Sequence, residues 1–328
     1  MIPVVVLTGF LGAGKTTLLK RLLRDPGYAD SAVIINEYGE VPLDHDLLAS
    51  SEETFVSTST GCLCCVVRSD LAATLMDLHR RRALGEVPAY KRVLIETSGL
   101  ADPAPILHAL MTEQPVLETH RLEAVATLVD ALHGPGALER HPEAQRQVRL
   151  ADRILLTKPD LADTTALRAT LAALNPAAET RDVLHGAVPA EWLLAAAPRT
   201  DEWLDATARH SANLGSVIIE REAPIPAMAL TLWLQGLAEH LGSKLLRLKG
   251  LVCVAEAPEA PAVLHGIGHV MHAPAWLETW PSADHRSRIV LIGQGIPPWW
   301  PIRLLDAIEE EVRSAGQGLG HDGVVHRA

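Results

Sequence analysis

The segment VVVLTGFLGAGKTT occupies residues 4–17 and decides the fold of the first part of the chain. It starts with four apolar residues and continues into GFLGAGKT at residues 9–16, which matches the pattern G-x-x-x-x-G-K-S/T at every position. This pattern is typical of a phosphate-binding loop that joins a buried strand to the first turn of a helix. Its glycines let successive backbone N–H groups curl around phosphate oxygens, and the helix N-terminus adds a favourable dipole.

The residues of this loop have separate predicted roles. Gly12, Ala13 and Gly14 are expected to offer backbone N–H groups to the phosphates of a nucleotide. The amine of Lys15 is expected to reach the β- and γ-phosphates, and the hydroxyl of Thr16 to ligate magnesium. The alternative is a glycine-rich turn that binds nothing, but the complete motif between a strand and a helix favours a nucleotide site.

Short β-branched runs alternate with helical patterns on the carboxyl side of this loop. Strands are predicted at residues 4–7, 32–35, 92–96, 124–129 and 153–156. Helices are predicted at residues 15–24, 71–83, 103–111, 143–150 and 163–174. The alternation predicts an α/β fold, a P-loop NTPase domain with a mainly parallel sheet. Active-site loops then lie at the carboxyl ends of the strands.

The pattern changes near residue 200. A polar, mixed segment is followed by strands at 216–220, 245–254, 262–271 and 288–292, with helices at 227–241 and 301–315. We therefore expect a nucleotide-binding domain over residues 1–200, a linker at 201–214, and a smaller α+β domain over residues 215–328.

Composition excludes several classes of protein. The 328 residues are 48% hydrophobic and 21% charged, which is typical of a packed globular chain and not of a disordered one. The net charge of -11 argues against broad attraction to nucleic acid or to anionic lipid. No stretch reaches the roughly 18 apolar residues of a membrane span, and the N-terminus lacks the features of a secretory signal. A cytoplasmic location is expected.

The sequence TKPD at residues 157–160 follows a predicted strand and predicts the base that the nucleotide carries. The carboxylate of Asp160 can accept both the N1–H and the amino hydrogens of guanine, whereas adenine offers no matching pair of donors. The stem of Lys158 can lie along the purine. The usual pattern is N-K-x-D, so Thr157 replaces an asparagine. The alternative interpretation is a charged turn before a helix.

The sequence ETSG at residues 96–99 ends another predicted strand. Glu96 can hold magnesium, usually through a water, and Gly99 can offer its N–H to the γ-phosphate. No obvious glutamine follows in place to orient the attacking water, which predicts slow intrinsic hydrolysis. NEYGE at residues 36–40 is predicted to be a nucleotide-sensing switch, with an acidic surface loop as the alternative.

Three of the four cysteines, Cys62, Cys64 and Cys65, lie within GCLCC at residues 61–65, in a predicted loop between a short strand and a helix. Thiolates are soft ligands that suit zinc or a related thiophilic metal. Three cysteines leave a tetrahedral shell incomplete, and the missing ligand could be water, a carboxylate such as Glu37, or a side chain of a partner. An incomplete shell is what metal transfer needs. A buried apolar cysteine group and a thiol redox pair are the alternatives.

These motifs together resemble those of one family. GFLGAGKTT, NEYGE, GCLCC, ETSGLADP and TKPD occur in the order found in the CobW-like family of metal-handling P-loop GTPases. The second half, with RLKG at residues 247–250, histidines at 265–272 and RSRIVLIG at 286–293, is similar to the C-terminal domain of that family. The resemblance implies GTP hydrolysis coupled to insertion or delivery of zinc, cobalt or a similar metal.

The resemblance also assigns residues. The implied nucleotide contacts are Gly12, Gly14, Lys15, Thr16, Thr17, Glu96, Lys158 and Asp160. The implied metal ligands are Cys62, Cys64 and Cys65. The departures from the family pattern are Thr157 and Tyr38, where phenylalanine is common.

The combined prediction is a GTP-hydrolysing metallochaperone, with magnesium at the nucleotide, zinc or cobalt as cargo, and a recipient protein or cofactor pathway as the destination. Its turnover is expected to be slow and to respond to metal or a partner; oligomerisation is compatible with the sequence. A small-molecule kinase on the same P-loop is one alternative. A zinc-buffering or sensing protein with incidental turnover is another. His265, His269 and His272 are interpreted as structural, with a second metal site as the alternative.

Overall fold

The computed structural model describes residues 1–36, 56–57, 63–67, 71–184, 186–194 and 216–318. The chain divides into two units, Met1–Pro198 and Arg199–Ala328. The predicted linker, residues 201–214, lies outside the described residues. Within the described part of the chain, no helix has the length and hydropathy that a membrane span requires.

The first unit is built on one sheet of eight strands. They are β1 (Ile2–Gly9), β2 (Ser31–Asn36), β3 (Val56–Ser57), β4 (Leu63–Val67), β5 (Arg92–Thr97), β6 (His120–Asp130), β7 (Arg153–Thr157) and β8 (Glu179–Val183). Their order across the sheet is β3-β4-β2-β5-β1-β6-β7-β8, and all pairs are parallel except β3 with β4. The carboxyl ends of β1, β5, β6 and β7 therefore lie side by side at one edge.

Helices accompany this sheet. They are α1 (Lys15–Leu22), α2 (Leu71–Ala83), α3 (Ala104–Thr112), α4 (Gln114–Thr119), α5 (Gly134–Arg140), α6 (Pro142–Leu150), α7 (Thr165–Leu174) and α8 (Ala190–Leu193). The predicted α/β fold is confirmed. The side chains of residues 4–7 in β1 are fully buried, which explains why a central parallel strand has a continuous apolar sequence.

One local prediction is wrong. The cysteine cluster was expected in a loop, but the structure includes Cys64 and Cys65 in strand β4, where they pair with Val33 and Ile34 of β2. The segment LCCVV is apolar and ends in β-branched residues, so it suits a strand in a parallel sheet. Cys62 and residues 37–55 lie outside the described residues.

The second unit is an antiparallel sheet with helices, as predicted for an α+β domain. Its strands are β9 (Ser216–Arg221), β10 (Leu245–Val254), β11 (Ala257–Ile267), β12 (Val270–Met271), β13 (Ala275–Trp276) and β14 (Ser287–Gly293). The order is β12-β11-β10-β14-β9, and β13 pairs with β11. Helices Ala227–Leu241 and Trp299–Gly318 contribute to the core, where the indole N–H of Trp233 donates to the carbonyl of Pro301 at 2.9 Å.

The predicted strand over residues 262–271 is in fact a hairpin. Gly268 has φ +59, a left-handed conformation that glycine adopts at little cost, and it separates β11 from β12. His265 therefore lies in β11, His269 in the turn, and His272 returns beside His265, whose carbonyl accepts its N–H at 3.0 Å. Among the residues that the structure describes, no three His, Cys, Asp or Glu side chains form a group that could hold a metal.

A pair of histidines, one of them buried, lies in the first unit, away from the carboxyl ends of the strands. The ring of His120, at the start of β6, is fully buried and packs edge-on to His79 with 5.8 Å between ring centroids. Burial, followed by the nearby charges of His79, the N-terminal amine and Arg82, lowers the pKa of His120 to about 4. The folded chain thus keeps this ring neutral where a solvated histidine would be protonated.

We expect this ring to make the first unit sensitive to acid. The unfolded chain gains a proton at an ordinary pKa near 6.5, and the folded chain gains it only near 4. The free energy of unfolding therefore falls as the pH drops through this window, by about 2 kcal/mol between pH 7 and pH 5. Native-state hydrogen exchange of the β6 amides at these two pH values measures the loss. In His120→Phe, which keeps a ring that cannot titrate, the free energy of unfolding should fall by about 2 kcal/mol less over the same pH range. An equal fall in both proteins would contradict the role of His120.

Candidate nucleotide-binding site

The phosphate loop, residues 9–16, has a backbone that depends on glycine. Gly14 is the N-cap of α1 with φ +92, and a Cβ at Gly9 would lie 2.5 Å from the carbonyl oxygen of Leu128 on β6. The loop is therefore held against the neighbouring strand while its N–H groups stay at the start of a helix. The amine of Lys15 folds back over this loop and donates to the carbonyl of Gly9 at 2.8 Å.

Two oxygen ligands meet beside this loop. Glu96, the penultimate residue of β5, is 3% exposed, and its Oε1 accepts the hydroxyl of Thr16 at 2.8 Å. These two residues are brought together because β1 and β5 are adjacent and in parallel register, with Leu7 opposite Glu96. A hydroxyl and a carboxylate are hard oxygen donors, so this pair fits magnesium, which favours one or two such protein ligands and nucleotide phosphates.

The loop that follows β5, residues 98–103, lies directly on the phosphate loop. A Cβ at Gly99 would lie 3.0 Å from the backbone nitrogen of Leu11, so the two loops approach as closely as a glycine permits. The hydroxyl of Thr97 also donates to that of Thr8 at 2.9 Å, which joins β5 to β1 at their ends. We call residues 98–103 the β5 loop.

The end of β7 and the loop that follows it contact the phosphate loop from the other side. The hydroxyl of Thr157 donates to the carbonyl of Ala13 at 3.0 Å, so the residue that replaces the usual asparagine still links the two loops. Lys158 has φ +55, and its amine contacts the carbonyl of Gly12 at 3.3 Å. Asp160 follows in the short 3-10 helix Pro159–Leu161 with an exposed side chain.

Asp130 is a residue to which sequence reasoning assigned no role. It is 5% exposed at the end of β6, opposite Thr157 in register, and its carboxylate pairs with the amine of Lys158 at 2.5 Å. Burial alone would raise the pKa of Asp130, but hydrogen bonds from Lys158 and from the backbone of His133 and Leu132 outweigh burial and lower it. The ionised carboxylate therefore fixes the amine of Lys158 beside the phosphate loop.

A cavity of about 260 Å³ adjoins the phosphate loop on the side of α5 and α6. Phe10 and Leu11 of the loop form part of its lining, together with Arg140, His141 and Gln147. The ring of His141 stacks on that of Phe10 at 4.5 Å between centroids. The cavity thus borders both the phosphate loop and the helix α6.

The predicted metal ligands are covered only in part. Glu37 and Cys62 lie outside the described residues, as does Tyr38, and the structure gives the backbone but not the side chains of Cys64 and Cys65. The nucleotide residues are described: Thr16 and Glu96 lie together, Gly99 adjoins the phosphate loop, and Lys158 contacts it from the loop after β7, where Asp160 is exposed.

Comparison with known proteins places this site in a family. The CobW/HypB/UreG nucleotide-binding domain matches residues 3–182, and the C-terminal domain of the cobalamin synthesis protein cobW matches residues 214–309. The chain is 31% identical over 331 residues to the zinc chaperone YjiA of Escherichia coli K12, covering 97% of this chain and 98% of that protein. It is 29% identical over 336 residues to the zinc chaperone CobW of Pseudomonas aeruginosa, covering 89% and 88%.

Solved structures agree in both units. The crystal structure of Zn(II)-bound YjiA GTPase from E. coli has a TM-score of 0.72 at 29% identity and covers 94% of this chain and 98% of its own. A Zn(II)-bound triple mutant of the same GTPase, with one glutamate and two cysteines replaced by alanine, has a TM-score of 0.73 at 28% identity and covers 94% and 99%. With a CobW/HypB/UreG nucleotide-binding domain followed by a cobW C-terminal domain, the chain belongs to the CobW family.

Proposed function

We propose that this chain hydrolyses GTP to GDP and phosphate, binds zinc through Cys62, Cys64 and Cys65, and delivers the zinc to a recipient protein or cofactor pathway. The observation that carries the proposal is the 2.8 Å contact between Thr16 and Glu96 beside a complete phosphate loop. Relatives of nearly the same length that are named zinc chaperones support the metal part. Clustered thiols stay available as ligands under reducing conditions, so the proposal includes a cytoplasmic setting.

Each nucleotide residue has a defined task in this proposal. Lys15 leaves the carbonyl of Gly9 and neutralises the β- and γ-phosphates, and Asp160 accepts the donor edge of guanine. Thr16 and Glu96 would hold a magnesium ion, which would offset the charge that develops on the phosphates. The N–H of Gly99 donates to the γ-phosphate and thereby makes the β5 loop sensitive to its presence.

A single strand of the sheet, β2, separates the strand that ends at the proposed nucleotide site from the strand that contains two of the cysteines. Strand β2 lies between β5, which ends in Glu96 and Thr97, and β4, which contains Cys64 and Cys65. Asn36, where the predicted switch begins, is in register with both Thr97 and Val67. We infer that GTP orders residues 36–46 and holds the cysteine segment in a high-affinity shape, and that hydrolysis relaxes it. The second unit then engages the recipient.

The test is reciprocal linkage between zinc and nucleotide. Zinc affinity, measured by competition with a chromophoric chelator, should differ between the states with a GTP analogue and with GDP by about 5–150-fold. Zinc should change the affinity for the GTP analogue by the same factor, because coupling between two sites is reciprocal. Equal zinc affinity in the two nucleotide states would sink the proposed mechanism.

Variants identify the ligands. Joint replacement of Cys62, Cys64 and Cys65 by serine should remove the nucleotide dependence of zinc binding. Cys253→Ser, at a cysteine buried in β10, is the matched control and should keep it. The coupling is a better measure than zinc content, since the triple mutant of YjiA still binds Zn(II) after loss of two cysteines and a glutamate. The same titration with Co(II) tests the alternative cargo.

A further inference from the structure

Gln147 of α6 contacts the β5 loop through a buried amide. Its side chain is 1% exposed, and its Nε2 donates to the carbonyl of Gly99 at 3.2 Å and to that of Ala101 at 3.0 Å. An amide nitrogen has two hydrogens, so both donors of this side chain are used on one loop. The contacts span 48 and 46 residues of sequence and therefore join two separate elements.

The position of this amide is itself fixed. The backbone carbonyl of Gln147 accepts the hydroxyl of Thr127 on β6 at 2.8 Å. The carboxyl end of α6, next to Gln147, is held by Asn175, whose Nδ2 donates to the carbonyls of Val148, Arg149 and Ala151. Helix α6 is thus bound to β6, the strand beside the phosphate loop. Through Gln147, the β5 loop is bound to the same helix.

The loop carbonyls also set the orientation of the amide. The Oε1 atom of Gln147 is buried and has no hydrogen-bond partner among the described residues, while the side chain lines the cavity beside the phosphate loop. A buried acceptor without a partner costs free energy, so this orientation depends on the two bonds that Nε2 makes. Among the described residues, the side chain of Gln147 makes its hydrogen bonds to these two carbonyls.

The residue whose carbonyl Gln147 holds is also the residue that packs on the phosphate loop. Gly99 packs on Leu11 of the phosphate loop so closely that an added Cβ would lie 2.8 Å from the side chain of Leu11. We infer that Gln147 is a positioning residue: by holding the carbonyls of Gly99 and Ala101, it keeps the N–H of Gly99 aligned with a bound γ-phosphate. The inference rests on the proposed nucleotide site and deepens it, because it names the residue that makes the β5 loop selective for the triphosphate.

This role predicts a selective effect on nucleotide affinity. A diphosphate has no γ-phosphate and gains nothing from the alignment of Gly99, whereas a triphosphate loses a contact when the β5 loop is released. Gln147→Met keeps the length of the side chain and removes both donors, and Gln147→Glu sets a carboxylate oxygen against the two carbonyls. Both variants should bind a non-hydrolysable GTP analogue about 10-fold more weakly, as expected for the loss of one or two hydrogen bonds. Affinity for GDP should stay within about twofold of wild type.

Asn175→Leu is the matched control. Asn175 is another buried amide that holds the carboxyl end of α6, but its Nδ2 donates to the carbonyls of Val148, Arg149 and Ala151 and not to the β5 loop. It should lower the melting temperature of the first unit and leave the ratio of triphosphate to diphosphate affinity unchanged. Gln147→Asn, which keeps an amide but is too short to reach both carbonyls, provides a second variant if the methionine variant does not fold.

Two results would overturn the inference. One is an equal loss of triphosphate and diphosphate affinity in the Gln147 variants, which would indicate a purely structural residue. The other is a shift of the affinity ratio in Asn175→Leu as large as in Gln147→Met. The experiment uses whichever nucleoside pair the wild-type chain binds. A preference for adenine, or zinc affinity that ignores the nucleotide, would therefore defeat the proposed function and leave this test intact.

Discussion

Replacement of Lys15 by alanine is expected to lower turnover of nucleoside triphosphate by about 10²–10³-fold, the usual cost of removing one group that stabilises developing charge. Two amines lie at the phosphate loop, and their surroundings differ. The amine of Lys158 is paired with the buried carboxylate of Asp130 at 2.5 Å. The amine of Lys15 donates to the carbonyls of Gly9 and Phe10, and phosphate oxygens can replace these neutral acceptors when a nucleotide binds.

Phosphate release at saturating GTP and magnesium measures this effect. Lys20→Ala, on the same helix α1, is the matched control and should keep wild-type turnover. Turnover of Lys15→Ala within about threefold of wild type would contradict the role of Lys15. The same variant separates two proposals for the metal: zinc delivery that persists without turnover would favour a zinc-buffering or sensing protein, whereas loss of delivery supports a nucleotide-driven chaperone.

Much of the fold could be predicted because its signals are local. Closely spaced glycines determine the conformation of the phosphate loop, and continuous β-branched runs favour the buried parallel strands. The contact between Thr16 and Glu96 follows from the same reasoning, since the carboxyl ends of adjacent parallel strands meet at one edge. Motifs that end parallel strands can therefore be assigned to one site from the sequence alone.

The parts that could not be predicted depend on tertiary contacts or on competing local signals. Gln147 is one of several polar residues on α6, and its partners lie 46 to 48 residues away, so the sequence offers no sign that this one is buried. Cys64 and Cys65 suggested ligands on a loop, yet the apolar segment around them forms β4. Gly268 lies within the strand predicted at residues 262–271, and its left-handed backbone makes that segment a hairpin.

Replacement of Asp160 by asparagine is expected to change the base that the site accepts. Guanine presents two adjacent donors, N1–H and the amino group, and a carboxylate accepts both. The amide of asparagine accepts one and sets its own NH₂ against the other, whereas xanthine, with a carbonyl in place of the amino group, matches the amide. Sites that hydrogen-bond a substrate group discriminate by about 10²–10⁵-fold, so affinity for GTP should fall by at least 10²-fold and affinity for XTP should rise.

Competition among GTP, XTP and ATP for one fluorescent nucleotide measures this switch. Asp163→Asn is the matched control, because the carboxylate of Asp163 is also exposed and accepts the N–H and hydroxyl of Thr165 at the start of α7. Unchanged selectivity in Asp160→Asn would remove the base-reading role of residues 157–160, and a wild-type preference for ATP would favour a small-molecule kinase. Two contacts support this change of base preference: Thr157 with Ala13, and Lys158 with Gly12. They hold the loop that carries Asp160 beside the phosphate loop and so fix the distance between the phosphates and the base.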